Sequence, residues 1–164
     1  MNRKSSFLPV VDKDIRILIL GSLPGELSLA QNQYYANPQN RFWNLVSEII
    51  GIDLQPLEYA TRLKVLLENQ IGMWDVIATA NRSGSLDGNI RDHANNDLVG
   101  LVNELPHLKT IAFNGKTAAR IGLKALKDQA SKYRIIHLPS SSPAYTLAYS
   151  QKLSIWMDLK KIAN

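Results

Sequence analysis

"IRILILGSLPGELSLAQNQYYANPQNRFW", residues 15–43, decides the fold. Its opening, residues 15–20, is an apolar run of strand length. Its end leads into a helical pattern, with Asn37 as the N-cap and Pro38 at the first helical position. Phe42, Leu45, Val46 and Ile49 form the apolar stripe of that helix, and Gly51 ends it. Between strand and helix lie Pro24, a Tyr34-Tyr35 doublet and many amides, with no helical or strand period. A connection of that length and composition is a candidate binding loop.

The rest of the chain repeats the alternation. Three further apolar runs, 74–78, 110–113 and 134–138, read as strands. Helical stripes lie at 58–69 (Ala60, Leu63, Leu66, Leu67) and 97–105 (Leu98, Leu101, Val102, Leu105, stopped by Pro106). Two more lie at 116–128 and 151–162, the last carrying Ile155, Trp156, Leu159 and Ile162. Strands alternating with helices predict an α/β fold: a mainly parallel four-stranded sheet covered on both faces. Ligands then bind beyond the carboxyl ends of the strands, which gathers three loops, 21–37, 79–96 and 139–145.

At 164 residues the chain suits one domain, 1–164. No stretch has the length of a membrane span, and residues 1–8 lack the build of a secretion signal. The absence of cysteine excludes disulfides, thiolate chemistry and cysteine-rich zinc sites. A cytoplasmic location and no membrane partner are the expectations. The net charge of +5 favours an anionic partner, nucleic acid first. Lys116, Arg120, Lys124 and Lys127 recur at helical spacing, a stripe that reads as a solvated face or a phosphate-contacting one.

Several familiar sites are excluded. "NGKTAA" resembles the tail of a phosphate-binding loop, but Thr110 stands where that motif needs its first glycine. A dinucleotide fingerprint beginning at Gly21 fails at Leu23 and Glu26. His93, His107 and His137 have no metal-ligand spacing, and no G-x-S-x-G elbow is present.

"GSLPG" after a strand, "YYANPQNRFW", "GMWDV", "FNGKTA" and "LPSSSPAY" occur in that order from Ile15 to Tyr145. Together they resemble the uracil-DNA glycosylase superfamily, and within it the hypoxanthine-DNA (deoxyinosine) glycosylase branch. The resemblance implies a three-layer α/β/α sandwich, excision of a deaminated base from DNA with water as nucleophile, and no metal or organic cofactor. Leu23 stands where the mismatch-specific uracil/thymine branch has a water-orienting asparagine, and Asn37 where the branch motif usually has histidine.

The resemblance assigns site residues in turn. Tyr35 stacks on the extruded base, beside Ser22 and Leu23 of the "GSLPG" turn, with packing on the core as the alternative. Asn40 is catalytic and orients the attacking water, with a solvent-facing position opposite the apolar stripe as the alternative. Asp75 is a second catalytic candidate as a proton acceptor, with a surface or capping role as the alternative. Asn114, and more weakly Asn81, are candidates to read the base edge; Asn114-Gly115 is also an ordinary strand-to-helix turn. Ser140, Ser141, Ser142, Pro143 and Tyr145 form the loop that grips the DNA backbone, with Tyr145 as the candidate wedge and Lys116 as a further DNA contact. The expected partners are DNA and downstream repair enzymes, and the expected state is a monomer. A uracil-preferring enzyme of the same fold and a noncatalytic nucleic-acid-binding module stand as the alternatives.

Overall fold

A computed structural model of the chain describes residues 3–163, with side chains described up to residue 161. Strands β1 (Arg3–Ser5), β2 (Ile17–Gly21), β3 (Ile71–Asp75), β4 (Ile77–Asn81), β5 (Arg91–Asn95), β6 (Thr110–Asn114) and β7 (Arg134–Leu138) form two sheets. One has the order β3-β2-β6-β7, every neighbouring pair parallel. The other, β1-β4-β5, is antiparallel. Helices α1 (Glu26–Gln31), α2 (Phe42–Ile50), α3 (Tyr59–Glu68), α4 (Leu98–Asn103), α5 (Lys116–Leu126), α6 (Tyr149–Trp156) and α7 (Asp158–Ala163) complete the fold.

All five residues of β2 are buried, as a central strand covered on both faces requires. Alternation sends its side chains to two cores. Leu18 and Leu20 join Leu98, Leu101 and Val102 of α4 and Ala118 and Ile121 of α5. Ile17 and Ile19 face Phe42, Leu45, Val46 and Ile49 of α2, Leu66 of α3, Trp156 of α6 and Leu159 of α7. The result is the three-layer α/β/α sandwich with the four-stranded parallel sheet inside. Gly51 caps α2 in the left-handed conformation, at φ 73°. Among the described residues no helix is long and apolar enough to cross a membrane.

The structure corrects several boundaries. The first long helix starts at Phe42, not at Pro38. Asn37 instead closes two turns, its Oδ1 accepting from the Gln39 amide and its carbonyl from the Asn40 amide. The 21–37 connection contains the six-residue helix α1. The run at 74–78 is two strands: β3 ends at Asp75 in the parallel sheet, and β4 begins at Ile77 in the other. The segment 79–96, expected to be a loop, is largely the β4–β5 pair with a 3-10 turn at Asp87–Asn89. Strand β5, "RDHAN", is exposed throughout, so no apolar period marks it. The last helix breaks at Met157, and Ile155, expected inside, is exposed, as is Ala60. Ile162 lies outside the described side chains.

Strand order positions the site. The chain leaves β2 for β3 on one side and later fills the other side with β6. The direction of progression thus reverses at β2, where an open parallel sheet offers a crevice at its carboxyl end.

Candidate functional site

At that end, Gly21 closes β2 and Asp75 closes β3, side by side in register. A β-carbon on Gly21 would lie 2.7 Å from Asp75 Oδ1 and 2.9 Å from the Tyr35 hydroxyl. Glycine is required here because two polar side chains occupy the space a methyl group would fill. Asp75 is 3% exposed. Its backbone carbonyl accepts from Asn96 Nδ2 at 2.7 Å, while its carboxylate Oδ2 is buried with no hydrogen-bond partner. Burial, and then the charge of Asp87, push its pKa up to about 7; the guanidinium of Arg82 opposes them. The residue is neither a surface nor a capping aspartate.

Tyr35 adopts a left-handed backbone, φ 54°, which few non-glycine residues do. One face of its ring stacks on Phe42, with centroids 3.8 Å apart and planes 8° off parallel. Its hydroxyl accepts from Asn114 Nδ2 at 3.3 Å, and burial followed by the Asp75 charge raises its pKa. The neighbouring Tyr34 is a core residue whose hydroxyl donates to the Leu8 carbonyl.

Asn40 lies at the head of α2, where its Oδ1 accepts from the Phe42 amide at 2.9 Å. The next residue, Arg41, donates its amide to the Ser141 carbonyl at 3.0 Å and so ties the tyrosine-and-amide segment to the serine loop.

Three of the expected base contacts have partners or packing within the protein. Asn114 donates through Nδ2 to Tyr35 and to Ser141 Oγ, and its Oδ1 accepts from the Ser141 amide. With both N–H groups engaged, it braces β6, Tyr35 and the serine loop to one another. Leu23 is 7% exposed and its side chain belongs to the core that packs α4 and α5. Asn81 lies in β4 of the antiparallel sheet, with Nδ2 donating to Asp92 Oδ2 at 3.4 Å. Ser22 does stand at the crevice, and its hydroxyl donates to Asp87 Oδ1 at 2.7 Å.

The serine loop is also divided. Ser141 is 1% exposed: its Oγ and amide are bonded to Asn114 and its carbonyl to the Arg41 amide. Ser140 Oγ accepts from the Ser142 amide, and Ser142 Oγ from the Ala144 amide. Pro143 and Tyr145 are exposed, and so is Lys116, the first residue of α5.

Four participants escaped the sequence reading. Arg82, 1% exposed, donates to the carbonyls of Leu23, Pro24 and Gly84 and pins the "GSLPG" turn from within. Asp87 accepts from Ser22, and its pKa is raised, first by loss of solvent. Arg41 and the buried Lys152 border an open recess of about 370 Å³ between residues 38–41 and 143–152. Only Lys152 had a local signal: it stands four residues before buried Trp156, on the same helix face. Among the described residues no three His, Asp or Glu side chains come together as a metal site.

Comparison with known proteins gives a coherent answer. A family model described as the uracil DNA glycosylase superfamily matches residues 8–160. A Methanosarcina barkeri protein named hypoxanthine DNA glycosylase is 40% identical over 161 residues, 97% of this chain and 99% of that protein. One of the same name from Methanosarcina acetivorans is 41% identical over 153 residues, 93% of this chain and 95% of that protein. A solution NMR structure from Methanosarcina acetivorans, provisionally designated a uracil DNA glycosylase, superposes with a TM-score of 0.87 at 40% identity. It covers 98% of each chain.

Proposed function

This chain belongs to the uracil DNA glycosylase superfamily, and on that premise we propose that it hydrolyses the N-glycosidic bond of a deaminated base, hypoxanthine first, extruded from DNA. The observation that carries the reading is the convergence of Asp75, Tyr35 and Gly21 at the carboxyl end of a parallel sheet, within a chain that matches named hypoxanthine glycosylases almost end to end.

A duplex hides the bond to be cut, so the nucleotide must leave the stack and its base must find a surface to lie on. Tyr35 is suited to that role. Phe42 backs one ring face and Asn114 fixes the hydroxyl, so the ring is held in one orientation, as a stacking platform requires. As the C1′–N bond breaks, its electron pair leaves with the base and the sugar becomes oxocarbenium-like. A water then adds at C1′ and releases a proton. Asn40 is assigned to orient that water: its Oδ1 already anchors the head of α2, so the amide is held in one direction. Asp75 is assigned to take the proton. The orphaned, desolvated carboxylate is a stronger base than a surface aspartate, and its pKa of about 7 suits neutral conditions.

The product is an abasic site, which a strand-cleaving repair enzyme must then process. The reading places the work in the cytoplasm, with the chain acting as a monomer.

Duplexes identical except for inosine, uracil or a normal base test the proposal. Strand breaks after alkali with inosine support it. Breaks only with uracil would move the preference to the relative of that designation, and binding without breaks would make the chain a noncatalytic module.

A further inference from the structure

The recess beside Asn40 has a composition that the excision chemistry does not explain. Pro38, Gln39 and Arg41 form one wall; Pro143, Tyr145, Tyr149 and Lys152 are on the other. It has the size of a small-ligand site, and none of its lining residues is acidic. Arg41 lies over the Tyr149 ring, its Cζ 5.4 Å from the centroid; Lys152 Nζ lies 5.5 Å from the Tyr145 centroid. Lys152 is 3% exposed, yet its acceptor is a neutral carbonyl, that of Ser142 at 3.0 Å. Among the described residues no carboxylate lies within ion-pair distance of either cation. Burial, and then the charge of Glu48, raise the pKa of Tyr149, while Arg41 opposes them.

A lysine buried to this degree is normally paired. Here its charge is disfavoured first by burial and then by Arg41, so two like charges share one recess. Tyrosine faces offset part of that cost, and an anion would remove the rest.

We infer that this recess is a phosphodiester subsite, in which Arg41 and Lys152 together hold one backbone phosphate of DNA beside the extruded nucleotide. The inference rests on the glycosylase reading for its ligand. Position supports it: Asn40 directly precedes Arg41, and the Arg41 amide is bonded to Ser141 in the serine loop, so the gripped phosphate adjoins the sugar to be attacked. The tyrosine rings set the cations in place and bound the groove for the flanking sugar. Lys152 also holds the Ser142 carbonyl, so one side chain links the loop's position to the grip on the backbone.

The test is a methylphosphonate scan. Inosine duplexes carry a single neutral phosphate at successive positions around the lesion, and binding to the full chain is read by fluorescence anisotropy, independent of turnover. One position should weaken wild-type binding by roughly tenfold, as expected for a lost charge-assisted contact. Arg41→Gln, a change at an exposed side chain, should weaken binding to unmodified DNA by a similar factor. It should then be indifferent to neutralisation at that one position, and its salt slope should fall by about one. Lys152→Arg should retain the position dependence that Lys152→Gln loses. Equal penalties for wild type and Arg41→Gln at every position, or an unchanged salt slope, would overturn the subsite. Loss of excision with the scan intact would overturn only the glycosylase reading.

Discussion

The inner floor of the crevice and its outer rim are built on opposite electrostatic plans. On the floor an acid is withheld from solvent: Asp75 is buried with one oxygen unpartnered, beside a tyrosine braced on both ring and hydroxyl. On the rim two cations are held together with no acid against them among the described residues, backed by tyrosine faces. The floor uses desolvation to make a weak base stronger; the rim uses unneutralised positive charge to attract a polyanion. Asn40 and Arg41, adjacent in sequence, stand at the seam between the two.

The largest expected effect comes from that seam. Asn40→Ala should lower single-turnover excision by on the order of 100- to 1,000-fold, the scale seen when one orienting polar side chain is removed from an active site. Because Oδ1 also accepts from the Phe42 amide at the head of α2, the variant should lose about 1 kcal/mol of stability while keeping its fold. Near-normal turnover in a folded variant would move catalysis wholly onto the floor.

Asp75→Asn sharpens the contrast through pH. Its excision should fall about 100-fold. Wild-type excision should rise with pH to a plateau above about 7, as the carboxyl ionises, and the variant should lose that rise. Stability should move the other way. Between the ordinary value of 3.8 and about 7, the folded chain holds a proton that the unfolded chain releases. Wild-type stability therefore falls as pH rises through that window, by up to ~1.4 kcal/mol per unit, and Asp75→Asn should flatten the slope. Chemical denaturation across pH 4–8 reads this directly; parallel curves for the two proteins would mean that Asp75 is not the buried acid described.

Tyr35→Ala should weaken binding to inosine-containing DNA by roughly tenfold, the scale of one base–aromatic contact, and leave affinity for undamaged DNA nearly unchanged. Equal losses on both would assign the ring to support alone. The smallest functional effect should come from Leu23→Ala. It should cost about 2–4 kcal/mol of stability, as truncating a core leucine does, with base preference in the folded fraction unaltered. A changed preference would return Leu23 to the base pocket.

Much of the frame was legible in the chain. The β2 run and the stripes of α2, α4 and α5 mark themselves because burial on a fixed face imposes a local period. The antiparallel sheet was not legible, since β1 and β5 are polar and exposed for most of their length and so carry no apolar period. Val76 also hid a boundary: the run 74–78, interrupted only by Asp75, crosses from one sheet to the other with no glycine or proline to mark the change. Asn37 looked like a helix cap by composition, yet the N-cap is Arg41, and Asn37 and Asn40 each close a turn by accepting from the amide two residues on, because turn and cap use the same side-chain chemistry.

The sequence alone determined the parallel sheet, its covering helices and, through its ordered motifs, the glycosylase superfamily, because periodicity and motif order are properties of neighbours along a chain. The tertiary structure decided which polar groups remain available. It engaged Asn114 and Ser141 with each other, buried Leu23, orphaned Asp75 and brought Lys152 to Arg41. Desolvation, pairing and charge coupling depend on what packs around a group, and in this protein those neighbours come from distant segments of the chain.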